Sequence, residues 1–489
     1  MNERATLLRH GLVVDGSGEP AYAGDLLLIG DTIAAMGPDA LDQRPAGLSA
    51  DDIRVVDCSG LVVAPGFIDA HTHDDAIVLD APEMTPKLSQ GVTTVVTGNC
   101  GLSVVPYVTD DPPGALALLG HSFRYPSMAD YVRAVHEARP ALNVAPLIGH
   151  TALRHACMAD IARPATEPEL DAMCALLDRC LAEGALGLSS GLFYAEAMPA
   201  PASEVTALAR VVARHRGVYA THLRTEMAGI LDAMHEAGDT AYAAGVPLII
   251  SHHKCAGPAN WGRTHETLPL IDRLAERQSI AMDVYPYVAG STVLREDLVD
   301  GVIDVLVCWS APHPGATGRM LADIAADWGV SQREACLRLK PGGACYFQMH
   351  EDDVRRVLAH PRSMVGSDGL PHDRHPHPRL WGAFPRVLAR YWRDERLFTL
   401  EQAVHKMSGL TARQFRLPDR GELRPGWRAD VVVFDPERVQ DLATYERPLQ
   451  RSAGIERVYV NGQLALISSH ASCRARAGRV LVREGPRPG

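Results

Sequence analysis

Two histidines one residue apart, His71 and His73, stand just beyond an apolar run at 61–65, across Gly66, Phe67, Ile68, Asp69 and Ala70. In an extended chain alternate side chains share a face, so both imidazoles project to one side and Thr72 to the other. Two imidazoles on one face can grip one metal ion; they can equally be two polar residues closing a strand. Further groups of the same kind close other apolar runs: Cys100 after 93–99, His222 before Leu223 and Arg224, His252 before His253 and Lys254, and Asp368 between Ser367 and Gly369. Each has a dull explanation alone, as a small core thiol, a hydrogen-bonded histidine or a turn carboxylate. Four histidines, a thiol and a carboxylate at the same ends of successive strands amount to a metal site with a proton carrier.

The donor set narrows the metal. A thiolate with two imidazoles is borderline-soft and suits Zn²⁺, and three protein ligands leave a position open for water. Zinc in such a site lowers the pKa of that water and polarises a carbonyl, so that metal-bound hydroxide attacks. Asp368 is then the expected general base and acid, taking the proton from the water and giving it to the leaving group.

These groups need a frame that brings strand ends together. Apolar strands ending at His73, Cys100, His150, Tyr194, Arg224, Lys254, Tyr287 and Gly369 alternate with amphipathic helices, among them 168–183, 202–214 and 227–244. Thr166 and Glu169 form a capping box ahead of the first of these. The pattern predicts an α/β fold, a closed (β/α)8 barrel of TIM type with its chemistry at the C-terminal rim. An open doubly wound sheet is the alternative, but no GxGxxG opens a helix after the first strand. Short strands at 6–14, 25–30 and 54–57 are matched by others at 429–435, 455–462 and 479–482. Neither set buries enough alone, so both ends are expected to pair into one small β-sandwich. The expected units are 1–62 and 416–489 for the sandwich and 63–415 for the barrel, with 288–350 inserted as a flap carrying a helix at 320–328. That span is too long for an ordinary connection.

Composition excludes other classes. The chain has 489 residues, 46% of them hydrophobic, and a net charge of −11, which argues against nucleic acid or an anionic membrane as partner. No apolar run reaches spanning length, and the N-terminus lacks the apolar core of a signal peptide. Ten scattered cysteines without a CxxC spacing suit reduced thiols, hence a cytoplasmic location.

The segments TTVVTGNCGLS, GLSSGLFY, SHHKCAG, DVYPYVAGST and VGSDGLPHDRHPHPRLWG, with the HxH and the terminal sandwich, resemble the amidohydrolase superfamily and, within it, the N-acyl-D-amino-acid deacylases. The likeness covers nearly the whole chain. It implies that Cys100 takes the bridging place held in many relatives by a carboxylated lysine, and strand 186–194 indeed has no lysine. It further implies that Cys100, His222 and His252 hold a tight zinc, while His71 and His73, sharing Cys100, form a weaker or empty second site. Lys254, Tyr285 and Arg379, with Ser291 nearby, are implied around the substrate's α-carboxylate, and Tyr194 joins the substrate-binding set. Lys254 lies two residues beyond His252 and so faces the same side, and ammonium, guanidinium and phenol suit a carboxylate. The blander reading makes them rim charges and a packed aromatic. Arg295, beside Val293 and Leu294 in the flap, departs from an apolar pocket and is expected to favour acidic side chains.

The expected activity is zinc-dependent hydrolysis of an N-acyl-D-amino acid to a carboxylate and a free D-amino acid, by a monomer or weak homo-oligomer whose partner is that small molecule. Cleavage of a cyclic amide or a dipeptide is the alternative reaction, and a non-catalytic scaffold the alternative class. A scaffold has no physical need of the six rim residues.

Overall fold

The computed structural model describes residues 5–469 and 473–482. Eight parallel strand positions form the centre: Phe67–Asp69, Val92–Thr97, Asn143–Pro146 continued by Ile148–Gly149, Gly187–Gly191, Val218–His222, Leu248–Ile250, Ile280–Val284 and Ser363–Val365. Every residue in them is buried, because helices cover the outside and side chains fill the inside. The helix Glu167–Ala182 carries the expected capping box at Thr166 and Glu169.

The expected closed barrel is interrupted. Its strands run as a six-stranded sheet from Ile148–Gly149 to Ser363–Val365 and a three-stranded sheet from Phe67–Asp69 to Asn143–Pro146. The third strand changes sheet at Leu147, whose N–H donates to Thr97 O at 2.9 Å. At the other seam Ala70 N–H donates to Val365 O (3.2 Å) and Asp368 N–H to His71 O (2.8 Å), with Thr72 bridging Gly369. The sheets thus meet through individual bonds at the strand ends that carry His71, His73 and Asp368.

The chain ends build an eight-stranded sheet in which Ala5–Val13 is central, pairing with Tyr22–Ile29, Ile53–Asp57 and Val62–Pro65. A bulge between Leu8 and Gly11 lets its two halves take different partners, and Leu8, Leu28, Val56, Val63 and Val431 share one core. The apolar run before Gly66 belongs here: Val62–Pro65 pairs antiparallel with Val431–Phe434, and the barrel starts only at Phe67. Gly66 is the corner between them, since a Cβ there would lie 2.2 Å from the Thr93 side chain. Residues 479–482, expected in the terminal sheet, instead lie along the third barrel strand: Val144 N–H donates to Arg479 O (2.9 Å) and Leu481 N–H to Val144 O (2.7 Å).

The long span after the seventh strand is more built than its one expected helix. Gly290–Val293, Val305–Ser310 and Gly342–Tyr346 form an antiparallel sheet, backed by helices Leu321–Trp328 and Gln332–Leu339. It has its own apolar core around Leu294, Val307, Leu321 and Tyr346, packed against Phe193 and Met227 from the barrel's loops. Among the described residues no helix is long and apolar enough to cross a membrane, and all ten cysteines are free.

Candidate metal centre and substrate cleft

Three residues leave their strands abruptly. Cys100, His252 and Asp368 have φ of 54°, 34° and 49°. This left-handed backbone is disfavoured for side chains with a Cβ, at about 1–3 kcal/mol each, and such strain gathers at functional sites. It turns each side chain across the mouth directly after the strand. Gly191 makes room for this, since a Cβ there would lie 2.0 Å from the Cys100 carbonyl oxygen.

All five expected metal-site residues and Asp368 converge. Cys100 Sγ lies 3.2 Å from His71 Nε2 and 3.3 Å from His252 Nε2. Asp368 Oδ1 is 3.2 Å from His73 Nε2 and 3.6 Å from His71 Nε2. The His222 and His252 rings meet edge-on with centroids 4.4 Å apart. Ligand atoms within 4.8 Å of one another form three overlapping groups: His71, Cys100 and His252; His71, His73 and Asp368; His222, Glu226 and His252.

The electrostatics fit a cation. Burial opposes ionisation of Cys100, but the His71 and His252 charges hold its pKa well below the ordinary thiol range, which favours the thiolate. Burial also opposes protonation of His71, which Cys100 and Asp283 nevertheless hold well above the usual histidine range. His222 is pushed the other way by burial and is neutral. Both its ring nitrogens are buried without a hydrogen-bond partner, an arrangement that is costly in a dry protein and that a metal relieves. Asp368 is raised by burial, yet the Arg379 charge and the His73 hydrogen bond hold it well below the carboxylate range.

Two buried carboxylates beside the histidines escape a reading of the sequence. Asp283, in the middle of the seventh strand, lies 3.3 Å from His71 Nδ1 and accepts the His252 N–H at 2.9 Å. Its signal is a lone acid inside an apolar run. Glu226, four residues after His222, lies 3.0 Å from His252 Nδ1 and accepts from Lys254 Nζ at 2.6 Å. The loop path that delivers it leaves no local pattern. A third group, Lys87, donates to Asp69 Oδ2 (2.8 Å) and Ser367 Oγ (2.6 Å), while Asp69 Oδ1 accepts Ser367 N–H (2.7 Å). This buried link holds the first strand to the eighth, and so His71 and His73 to Asp368. Two other conspicuous histidines face elsewhere: His150 Nε2 is 2.8 Å from Glu204 and His253 Nε2 is 2.8 Å from Thr267.

Beside the metal-site residues runs a cleft lined by Tyr194, Lys254, Tyr285, Ser291, Leu298 and Leu370. Arg379 is fully buried behind it, with Nη1 2.8 Å from Asp368 Oδ2, Nη2 donating to Ser291 O at 3.1 Å, and its guanidinium 4.5 Å over the Tyr285 ring. The Tyr285 hydroxyl is buried without a partner. Tyr194 packs its ring 5.4 Å from that of His222, and its hydroxyl is 3.5 Å from Thr292 Oγ1. Arg295 does not line the cleft. It forms a two-armed pair with Asp297 (2.9 and 2.5 Å) and stacks 4.0 Å over Phe193, which in turn stacks on His222 with centroids 4.9 Å apart. Its charge is offset by the acid two residues on.

A parallel β/α ring with imidazoles, a thiolate and a carboxylate gathered at its C-terminal mouth is an architecture suited to metal-assisted hydrolysis. The chain belongs to the amidohydrolase family, whose sequence profile matches residues 54–287 and 332–465 and skips the first part of the inserted segment. It is 49% identical over 479 residues to the D-aminoacylase of Alcaligenes xylosoxydans xylosoxydans, covering 98% of this chain and 97% of that one. It is 47% identical over 473 residues to the N-acyl-D-aspartate deacylase of the same organism, covering 96% and 93%. Its fold matches the solved N-acyl-D-glutamate deacylase of Bordetella bronchiseptica, complexed with zinc and a phosphonate inhibitor that mimics the tetrahedral intermediate, with a TM-score of 0.93, 44% identity and coverage of 98% and 99%.

Proposed function

We propose that this protein hydrolyses the amide bond of N-acyl-D-amino acids to a carboxylate and a free D-amino acid, using zinc held by Cys100, His222 and His252. The carrying observation is that Cys100 and His222 both lie against His252 at the buried strand ends, with neither His222 ring nitrogen hydrogen-bonded, in a chain nearly half identical to such deacylases over almost its full length. Zinc bound there acidifies a water and polarises the acyl carbonyl. Asp368, ionised and held at its two oxygens by His73 and Arg379, is the base that takes the proton and returns it to the leaving nitrogen. His71 and His73 mark a second, weaker metal position that shares Cys100.

Lys254, Tyr285 and Arg379 are the α-carboxylate clamp, with Ser291 and Tyr194 on the cleft wall. Leu118, Leu298 and Leu370 line the same cleft, and Arg295 is neutralised by Asp297, which supports an apolar D-side chain over an acidic one. The inserted segment 288–350 covers the cleft and limits water. In this reading 63–415 is the catalytic unit, and 1–62 with 416–489 form the accessory one. Ten free thiols support a cytoplasmic location. The assembly proposed is a monomer or weak homo-oligomer. Matched N-acetyl-D- and N-acetyl-L-leucine test the function directly: turnover of the D form alone is expected, and equal rates overturn the assignment.

The clamp has its own expected outcome. Lys254→Met removes a charge-assisted contact worth about 1.5–3 kcal/mol, so KM for the free carboxylate rises roughly ten- to a hundred-fold. Arg379→Met lowers kcat as well, because the same guanidinium holds Asp368. On the corresponding N-acyl amide, which lacks the charge, the Lys254 variant loses little more than wild type; equal impairment on both substrates removes Lys254 from the clamp.

A further inference from the structure

Glu226 sits in the loop between the strand Val218–His222 and the helix Ile230–Ala244. Its side chain is 9% exposed and meets three groups of the site. Oε1 lies 3.0 Å from His252 Nδ1 and 2.6 Å from Lys254 Nζ, and Oε2 lies 3.8 Å from His222 Nε2. The backbone fixes it there, because Ala256 N–H donates to Glu226 O at 2.8 Å and ties this loop to the one carrying His252 and Lys254.

Lys254 Nζ also approaches His252 Nδ1, at 2.8 Å. An ammonium only donates. Either Nδ1 is bare and accepts from Lys254, or Nδ1 carries hydrogen and donates it to Glu226. In the first case a neutral ring has its hydrogen on Nε2, the nitrogen 3.3 Å from Cys100 Sγ, and cannot use that nitrogen as a ligand. The second case leaves Nε2 bare and facing Cys100, and Lys254 then donates to Glu226 and draws back from Nδ1, because two N–H donors repel at 2.8 Å. A carboxylate behind a metal-bound imidazole fixes the ring's tautomer and aim in this way.

We infer that Glu226 is a positioning residue: it keeps hydrogen on His252 Nδ1, aims His252 at the metal, and anchors Lys254 at the substrate cleft. One carboxylate thereby joins metal retention to substrate binding. The inference rests on the zinc reading of the site.

Glu226→Gln keeps the shape and removes the charge; Glu226→Asp keeps the charge on a shorter arm. Zinc retention is read by competition with a chelating dye, KM with an N-acetyl-D-amino acid, and the melting temperature on zinc-free protein. For Glu226→Gln zinc is expected to be held roughly 10–100-fold more weakly than in wild type, with raised KM and a lower zinc-free melting temperature because Lys254 loses its buried counter-charge, and Glu226→Asp recovers part of each loss. Unchanged zinc affinity in Glu226→Gln, against a zinc-holding wild type, overturns the positioning role alone. Lys254→Met breaks the same buried pair and leaves Glu226 on His252, so it serves as the structural control: a Lys254→Met protein that loses zinc affinity as far as Glu226→Gln does also overturns the role. A wild type that holds no zinc overturns the functional reading and this inference together.

Discussion

Replacing Cys100 by alanine is expected to strip the zinc and leave no measurable turnover. Cys100 is the one sulfur in the cluster, and its thiolate sits between His71 and His252 at 3.2 and 3.3 Å. Removing it leaves two imidazole donors where three ligands are needed to hold the ion with a position open for water. The fold should survive, because alanine fits the space and meets the same positive φ that cysteine already tolerates. Zinc content by elemental analysis and the melting temperature of metal-free protein separate the two effects. His222→Ala and His252→Ala should behave alike, whereas His71→Ala lowers activity and leaves the tight zinc in place. A Cys100→Ala protein with full zinc and full rate refutes the site as assigned.

Asp368→Asn should lower kcat roughly 10²–10⁴-fold with zinc still bound. The substitution keeps the shape that His73 contacts and removes the base. It also leaves the Arg379 guanidinium, buried and 2.8 Å from Asp368, without its counter-charge. Breaking such a buried pair costs about 3–5 kcal/mol, so the zinc-free variant should also melt lower. The pH dependence has a definite sign. The folded pKa of Asp368 lies well below its unfolded value of about 3.9, so its stabilisation is fully present above that value and is lost as pH falls towards the folded pKa. The gap in melting temperature between wild type and Asp368→Asn should therefore hold steady from neutral pH to about pH 4 and narrow only below it. Near-normal kcat in the Asn variant would move the proton chemistry elsewhere. His150 is not the substitute, since it faces Glu204 and does not line the cleft.

The rim residues were legible because strand alternation and strand ends are local properties. His71 and His73 share a face by spacing, and Cys100, His222, His252 and Asp368 each close an apolar run that the structure shows to be a barrel strand. What was not legible depends on which distant segment arrives beside a residue. The run 61–65 reads as a buried strand but says nothing of which sheet buries it, and it joined the terminal sheet through Val431–Phe434. Residues 479–482 have strand character, yet their partner is Val144. Arg295 looked like a free cation in a pocket, although its neutralising partner, Asp297, stood two residues away; whether they pair depends on the turn between them. Glu226 and Asp283 resemble an ordinary loop acid and a misplaced strand acid until His252 and His71 are set against them.

The central claim is that zinc at Cys100, His222 and His252 drives cleavage of N-acyl-D-amino acids. Stripping the protein with a chelator, returning zinc in graded amounts and assaying N-acetyl-D- and N-acetyl-L-leucine at each step tests it most directly. Activity on the D form should be absent without metal and rise in proportion to zinc up to about one ion per chain, while the L form stays flat throughout. Full turnover by zinc-free protein, or parallel gains on both enantiomers, contradicts the account.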